Sequence, residues 1–365
     1  MKNILIPTQT NDIHAVAVFC ALERLGAKPI MIHGADFPSR QFNSINIDTK
    51  CDLQCKFEDK DFNFNFNDIS VVWNRRLTAP VIPDGMLNDQ DLPFMKIETK
   101  TYFRHIWIAL SESVFWVNPR VAQYAANSKI LQLKIARDLG FEFPATLISN
   151  KSNDILSFFE RHDNVIYKPF ISLGEVLDGK NAVHETVDVY RSDLPSEGIQ
   201  QLSIGIFQEK IEKKTEVRIV VFGRQIYAVE IFSQSNERTL VDWRNHSLGS
   251  VAMKKVEIPD PVKKFCFNML RVLGLVYGAF DFIIKSNEQW VFLEVNESGQ
   301  FLFMEQLDPT LELLDAFSRF LIDPKADDTK SHGKPISFDE VVASDRYIEL
   351  HGDNLENHIP QEVII

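Results

Sequence analysis

The chain has 365 residues, 45% hydrophobic and 25% charged, with a net charge of −12. That length exceeds one ordinary core, so two or three subdomains are expected, and the acidic balance argues against a general binder of nucleic-acid backbones. The opening MKNILIPTQTNDIHA has too short an apolar run for a signal peptide, and no segment approaches the roughly 18 apolar residues of a membrane span, so a cytoplasmic protein is expected. The four cysteines (Cys20, Cys51, Cys55, Cys266) and nine histidines show no zinc-ligand spacing. They read as reduced thiols and scattered imidazoles, and a metal site should be carboxylate-based.

In chain order, NILIPT (residues 3–8) reads as a short buried strand, and IHAVAVFCALERLGAKPIMI as a helix ending at Gly26 before a second strand at 29–32. This opening predicts a small α/β layer, and neither G-x-G-x-x-G nor G-K-[ST] occurs to cradle a phosphate. DFNFNFND (61–68) has the alternation of a half-exposed strand, and VVWNRRLTAP (71–80) is a strand that delivers Arg75 and Arg76 to a loop. Residues 98–114 predict an aromatic-rich amphipathic helix. Pro119 opens a new unit. It comprises a helix from about Ser128 to Leu139 capped by Gly140, the strand PATLIS, the strand NVIYKPF carrying Lys168, and a turn-rich loop, ISLGEVLDGK (171–180). IGIFQEKI, TEVRIVVFG and RQIYAVEIF predict three successive antiparallel strands. DPVKKFCFNMLRVLG predicts a helix, GAFDFIIK and QWVFLEV a hairpin with its tip at 286–288, and 309–322 a closing helix. Beyond Asp323 the chain turns polar, and 324–365 is left as an appendage without an assigned order.

The chemistry gathers at the end of the hairpin. In WVFLEVNESGQF (290–301), Glu294 and Asn296 fall on one strand face. Either the strand frays into an Asn-Ser-Gly turn, or the pair offers oxygen ligands to a hard cation such as Mg²⁺. Asp281, on the first strand, lies about opposite Glu294, and two carboxylates facing across strands repel unless a cation lies between them. That repulsion favours the metal. Lys168, in an otherwise apolar strand, is a candidate phosphate ligand, whereas Lys129, near a helix start, reads by itself as a solvated surface lysine. Glu209, Lys210 and Ile211 sit where an apolar strand meets a polar connection whose backbone can offer a purine one donor and one acceptor. Glu216 can accept two ribose hydroxyls. Arg218 shares its strand face and is either bound to an anion or, equally well on these residues, paired with Glu216 or Glu230.

Taken in order, Lys129, IYKP, QEKI, EVR, DWRN, AFDF and LEVN resemble the ATP-grasp superfamily from about residue 118 to 305. WNRR, VNP, LQLKIARDLGFEFPATLISN, VDWRN and FLEVNESGQF make the chain similar to the graspetide (microviridin-type) peptide maturases over roughly residues 1–323. The resemblance implies an α/β (α+β) ATP-grasp fold. Its parts would be an N-terminal pre-ATP-grasp α/β domain at 1–117, a central subdomain at 118–200, a C-terminal subdomain with the metal site at 201–323, and the appendage at 324–365. It implies ATP and Mg²⁺ as cofactors. Lys129 and Lys168 would hold the α/β phosphates, Glu209, Lys210 and Ile211 the adenine, and Glu216 the ribose. Asp281, Glu294 and Asn296 would bind Mg²⁺, and Arg218 and Arg244 would act as catalytic arginines on the γ-phosphate and the acyl phosphate.

The implied activity is macrocyclisation of a ribosomally made precursor with a leader and a core. Asp or Glu side chains would be activated as acyl phosphates, then joined to Ser/Thr hydroxyls as esters or to Lys as amides. Phosphoryl transfer is mostly positioning and charge neutralisation, so Mg²⁺ and arginines can supply most of the catalysis. An acyl phosphate must be kept from water, and 171–180 is the lid candidate. The family also implies a homodimer, with no nucleic-acid or membrane partner. Asn74 stands where the family carries an aromatic residue before the paired arginines, and Phe301 where it carries Trp. Two other functions stay open: an intermolecular carboxylate–amine ligase, and a non-catalytic ATP-binding scaffold, which no missing lysine or metal ligand supports.

Overall fold

β1 (Asn3–Thr8) is buried on both faces, which is why NILIPT reads as a near-continuous apolar run. Ile4 and Ile6 enter one core and Leu5 another. The computed structural model describes residues 2–50, 53–86, 88–110, 114–170, 174–177, 180–183, 186–194, 204–233, 252–326 and 333–360. After β1, Asp12 caps α1 (Ile13–Arg24) by accepting the N–H groups of His14 and Ala15 at 3.1 and 3.2 Å. Gly26 leaves the helix at φ 78° and β2 (Lys28–His33) runs parallel to β1. β3 (Phe42–Asn46), β4 (Gln54–Glu58) and β5 (Asn63–Asn65) form an antiparallel meander. The Phe–Asn alternation of 61–68 yields only the three residues of β5 and then a 3₁₀ turn, yet Phe64 and Phe66 both reach the core. β6 (Val71–Trp73), α2 (Leu92–Ala109) and β7 (Phe115–Val117) follow, giving a parallel sheet of order β2-β1-β6-β7. α2 starts at Leu92 rather than at 98: Pro93 is tolerated in a first turn, and Phe94 and Ile97 lie exposed, so the early turns carry no buried periodicity.

α3 (Arg120–Ala126) leads into α4 (Lys129–Asp138), which Ser128 caps and Gly140 ends at φ 70°. β8 (Thr146–Ser149), α5 (Ser152–Arg161) and β9 (Val165–Lys168) follow, with Ile155, Phe158 and Phe159 of α5 packed beside Val165. The expected loop at 171–180 contributes instead a backbone hairpin, β10 (Gly174–Leu177) with β11 (Lys180–Val183), before β12 (Val187–Val189). The three successive strands expected after 204 divide between two sheets. β13 (Gly205–Glu209) pairs with β8 and β9 in the order β12-β9-β13-β8, while β14 (Thr215–Phe222) and β15 (Gln225–Ile231) form a hairpin elsewhere. The polar connection at 210–214 lets the chain change sheets, and Phe207 finds its core against Phe159 and Tyr167.

The second sheet adds β16 (Met253–Lys255) and, after α6 (Asp260–Leu273), the hairpin of β17 (Tyr277–Ile284) and β18 (Trp290–Asn296). Its order is β16-β15-β14-β17-β18, antiparallel throughout. Val217, Ile219, Phe280 and Phe282 face α4 and α6 in one core. On the opposite face Val220, Phe222, Tyr277 and Ala279 join the core of α1, α7 (Leu302–Leu307) and α8 (Leu313–Ile322). The remainder of that face carries Glu216, Arg218 and Asp281.

Residues beyond 324 supply α9 (Phe338–Val342) and α10 (Asp345–Asn357). Phe338, Val341 and Tyr347 are buried in the core around α1, and Arg346 holds Glu23 of α1 through two 3.0 Å bonds. Buried Glu305 accepts the N–H groups of Leu314 at 2.6 Å and Phe338 at 2.8 Å, fastening α7 to the starts of α8 and α9. Among the described residues no helix is long and apolar enough to cross a membrane.

Candidate active site

β17 and β18 place Asp281 directly opposite Glu294, and Asn296 opposite Ala279. The register slips between Asp281 and Phe282, whose partner is Phe292, so Leu293 is the extra residue of a bulge. Asn296 Nδ2 donates to Asp281 Oδ2 at 3.2 Å and to Glu294 Oε1 at 3.4 Å, so the three side chains meet on one patch. Each carboxylate also holds a cation from another element. Arg218 of β14 donates from Nη1 to both Asp281 oxygens at 2.8 and 2.9 Å, and Lys129 Nζ lies 2.7 Å from Glu294 Oε2.

Arg218 takes neither Glu216 nor Glu230, the carboxylates weighed from sequence, but Asp281. Register explains the outcome: Glu230 pairs with Val217 and so lies on the other face, while Glu216 is taken by Lys213 at 2.8 Å. Burial pushes the Glu216 carboxyl upward, with Lys213 and Ser233 opposing. The Arg218 guanidinium also lies 6.0 Å from the ring centre of Phe303.

Lys129 is held in place by a residue that sequence reasoning missed. Buried Gln132 accepts the Val295 N–H at 2.9 Å and donates to the carbonyls of Val295 and Ala126 at 2.9 and 2.7 Å. It thus clamps α4 to the β18 backbone between Glu294 and Asn296. Its only signal is a polar side chain on a buried helical face. Asn118, in the VNP segment, acts likewise. Its Oδ1 accepts from the N–H groups of Val276 and Tyr277, and its Nδ2 donates to the Tyr277 and Glu297 carbonyls, which ties the end of β7 to both hairpin strands.

Lys168 lines a cleft together with Lys129, Gln208, Leu293 and Glu294, so the two lysines named from sequence face one space. At the end of β13 the Glu209 N–H bonds to the Ala145 carbonyl and the Lys210 N–H to the Asn164 carbonyl, both at 2.9 Å. The Glu209 carboxylate accepts from Ala145 N–H at 3.4 Å, and Lys210 Nζ pairs with Asp188 at 2.8 Å. Of that triplet the Ile211 N–H is the one without a backbone partner among the described residues. Arg244, the DWRN segment and residues 171–173 and 178–179 of the lid candidate lie outside the described residues. The donor set suits a hard divalent cation: two carboxylates and an amide, whose oxygen reaches the same patch when the amide is turned over.

The fold is shared with known proteins. Residues 3–124 match the family model of the MvdD pre-ATP grasp domain. The whole chain is similar to a RiPP-associated ATP-grasp ligase of Chryseobacterium gregarium, solved in complex with ADP and a leader and core peptide. That likeness is 26% identity with a TM-score of 0.81, over 92% of this chain and 100% of that one. It is similar to the macrocyclase MdnC of Microcystis aeruginosa MRC, bound with precursor peptide MdnA, at 26% identity and a TM-score of 0.76, over 89% and 100%. The fold is shared with macrocyclase MdnB of the same organism, at 24% identity and a TM-score of 0.72, over 88% and 100%. No curated protein matches the sequence. Residues 3–124 thus match the MvdD pre-ATP grasp domain, and the chain shares its fold with a RiPP-associated ATP-grasp ligase and with peptide macrocyclases.

Proposed function

We propose that the protein is an ATP-dependent ligase that activates Asp or Glu side chains of a ribosomally made precursor peptide and closes them onto Ser/Thr or Lys side chains of the same peptide. The observation that carries this reading is the convergence of Asp281, Glu294 and Asn296 with Arg218 and Lys129 on one sheet face, beside a cleft that also holds Lys168. The ADP and peptides of the similar Chryseobacterium ligase support it.

A bound Mg²⁺ would supply positive charge against the phosphates, and Asp281, Glu294 and Asn296 are the residues that would hold it. Lys129 and Lys168 take the α/β phosphates. The backbone of Glu209, Lys210 and Ile211 would hold the adenine, and Glu216 would accept from the ribose. A substrate carboxylate oxygen attacks the γ-phosphorus and the bond to ADP breaks. A hydroxyl or amine of the peptide then attacks the acyl carbon, phosphate leaves, and one proton is released. Arg218 and Arg244 steady the charge that builds on the transferring group, without a protein nucleophile. The leader plus core make up the partner, and a homodimer is the assembly proposed.

Incubation with ATP, Mg²⁺ and the short peptides encoded beside the gene should give a product lighter by one water per crosslink, with ADP released. A mass gain would indicate an intermolecular ligase, and unchanged mass with every neighbouring peptide would overturn the reading. Glu294→Gln should keep its fold by circular dichroism while ADP release falls by about 100-fold or more, as for loss of one preorganised charge-stabilising group, with Asn296→Asp as the control that retains an oxygen ligand.

A further inference from the structure

Where β6 ends, a second cleft of about 240 Å³ opens between α3 and the exit of β18. It is lined by Asn74, Arg75, Arg76, Arg120, Gln123 and Glu297, with Tyr124, 86% exposed, also on its wall. Three guanidiniums in one small space need an explanation, because like charges repel and burial strips their hydration. Arg75 is 2% exposed. Its Nη1 donates to the Ser298 carbonyl and its Nε lies 3.2 Å from Asp12 Oδ2, but its Nη2 is buried with no hydrogen-bond partner among the described residues. Arg76 reaches the same Asp12 oxygen only at 3.6 Å. Burial, followed by the charge of Arg75, disfavours the Arg76 cation, and burial does the same to Arg120.

The facing carboxylates do not balance this set. Asp12 and Glu297 are two against three. Two amides on the wall bond to each other: Asn74 Nδ2 donates to Gln123 Oε1, and Gln123 Nε2 donates to the Asn74 carbonyl at 3.1 Å. An anion is the component that completes the cleft, and guanidinium forks match a carboxylate in two-pronged fashion. The position is next to the reacting patch. Glu297 and Ser298 directly follow Asn296, and Glu297 Oε1 accepts from Asn127, two residues before Lys129, at 3.2 Å.

We propose that this cleft is a carboxylate subsite for a second, non-reacting acidic side chain of the peptide substrate, with Arg76 and Arg120 contacting the anion and Arg75 supplying the third cation. The proposal rests on the reading of the protein as an enzyme acting on acidic peptides. Nucleotide phosphates are the other source of an anion. They are assigned to Lys129 and Lys168, and the exposed Tyr124 ring suits a peptide rather than a phosphate.

The test is binding, without turnover. N-acetylated, amidated Thr-Glu-Glu and Thr-Gln-Gln and inorganic phosphate are titrated against the full chain and followed by ligand-observed NMR, with Mg²⁺–ADP measured in parallel. The Glu peptide should bind at least about tenfold tighter than the Gln peptide, consistent with a charge-assisted pair, and Arg76→Gln/Arg120→Gln should lose that preference. Arg76→Lys/Arg120→Lys should keep most of it, and all forms should bind Mg²⁺–ADP within about twofold. Equal binding of the two peptides by the wild type, or an undiminished preference in the Gln double variant, overturns the subsite. A loss of Mg²⁺–ADP affinity of about tenfold in that variant, with phosphate displacing the Glu peptide, also overturns it and gives the cleft to the nucleotide. Failure of the ligase reading is seen separately, as unchanged precursor mass, and leaves each of these results readable.

Discussion

Replacing Arg218 by glutamine isolates the buried half of the charge cluster. The side chains of Arg218 and Asp281 are 5% and 9% exposed, so their pair is well shielded from water. Removing one partner of such a pair leaves an uncompensated buried charge, at a cost of about 3–5 kcal/mol. Glutamine restores about one neutral hydrogen bond, worth about 1 kcal/mol, so the net loss is about 2–4 kcal/mol. In a cooperative unit of roughly 200 residues each kcal/mol moves Tm by about 2–4 °C, which places the variant roughly 5–15 °C below the wild type. Asp281→Asn removes the orphaned charge, so the double variant should be more stable than the two single losses predict, with a coupling of about 1–3 kcal/mol. Millimolar Mg²⁺ should raise the Tm of Arg218→Gln more than that of the wild type, since Asp281 then lacks its competing cation. Thermal and denaturant unfolding of the four proteins measures the cycle. A single-variant loss under about 1 kcal/mol, or strict additivity, would refute the claim that this pair neutralises the acidic patch.

Two further predictions concern the tail and acid. Deleting residues from 337 onward removes the buried Phe338, Val341 and Tyr347, each worth about 1.5–3 kcal/mol, and leaves Glu305 without the Phe338 N–H. The truncated protein should lose its cooperative melt, and a transition within about 2 °C of the full chain would show that the tail is dispensable. Burial, then the charge of His358, lowers His33 from 6.5 to about 4, beside an Asp36 that accepts from His358 and from the Ile359 N–H. A histidine depressed on folding adds stability above its unfolded value, and that stability is lost as pH falls from 6.5 toward 4. The drop is about 3 kcal/mol, in the same sense as for buried His14, itself lowered to about 3. His33→Gln should flatten the pH dependence of unfolding over that range; an unchanged slope would remove His33 from the account.

What was legible in the sequence was whatever a single element decides for itself. The two-sided burial of NILIPT, the Ser128 and Gly140 caps of α4, and Asp281 facing Glu294 across a short hairpin are all local consequences of period and turn chemistry. What was not legible depended on partners brought from afar. Nothing in EVR chooses among Glu216, Glu230 and Asp281 until β14 is seen in register with β17, and nothing in IGIFQEKI says that β13 pairs with β8 and β9. The tail looked like an appendage because it opens on a polar run, yet Phe338, Val341 and Tyr347 beyond that run reach the core of α1. Gln132 escaped notice for the reverse reason: one polar residue on an apolar helix face looks like a blemish until its strand arrives.

Two facing carboxylates are a folding problem before they are a ligand site. Asp281 and Glu294 are tolerated because Arg218 comes from the neighbouring strand and Lys129 from a helix that is sequence-remote, and Gln132 pins that helix to the Val295 backbone, right after Glu294. The patch therefore forms only when α4, β14 and the hairpin meet, and its charges sum to zero as it stands: two carboxylates against one arginine and one lysine. The two pairs differ in their exposure. Lys129 and Glu294 keep 30% and 22% of their side-chain surface, so that pair is the one solvent screens and the one most easily exchanged, while the pair of Arg218 with Asp281 is buried. On the proposed reading, Glu294 would exchange its Lys129 partner for a divalent cation, and the Lys129 ammonium would be free to meet the phosphates. The charges that stabilise the fold and the charges that bind the nucleotide are then one set, used twice.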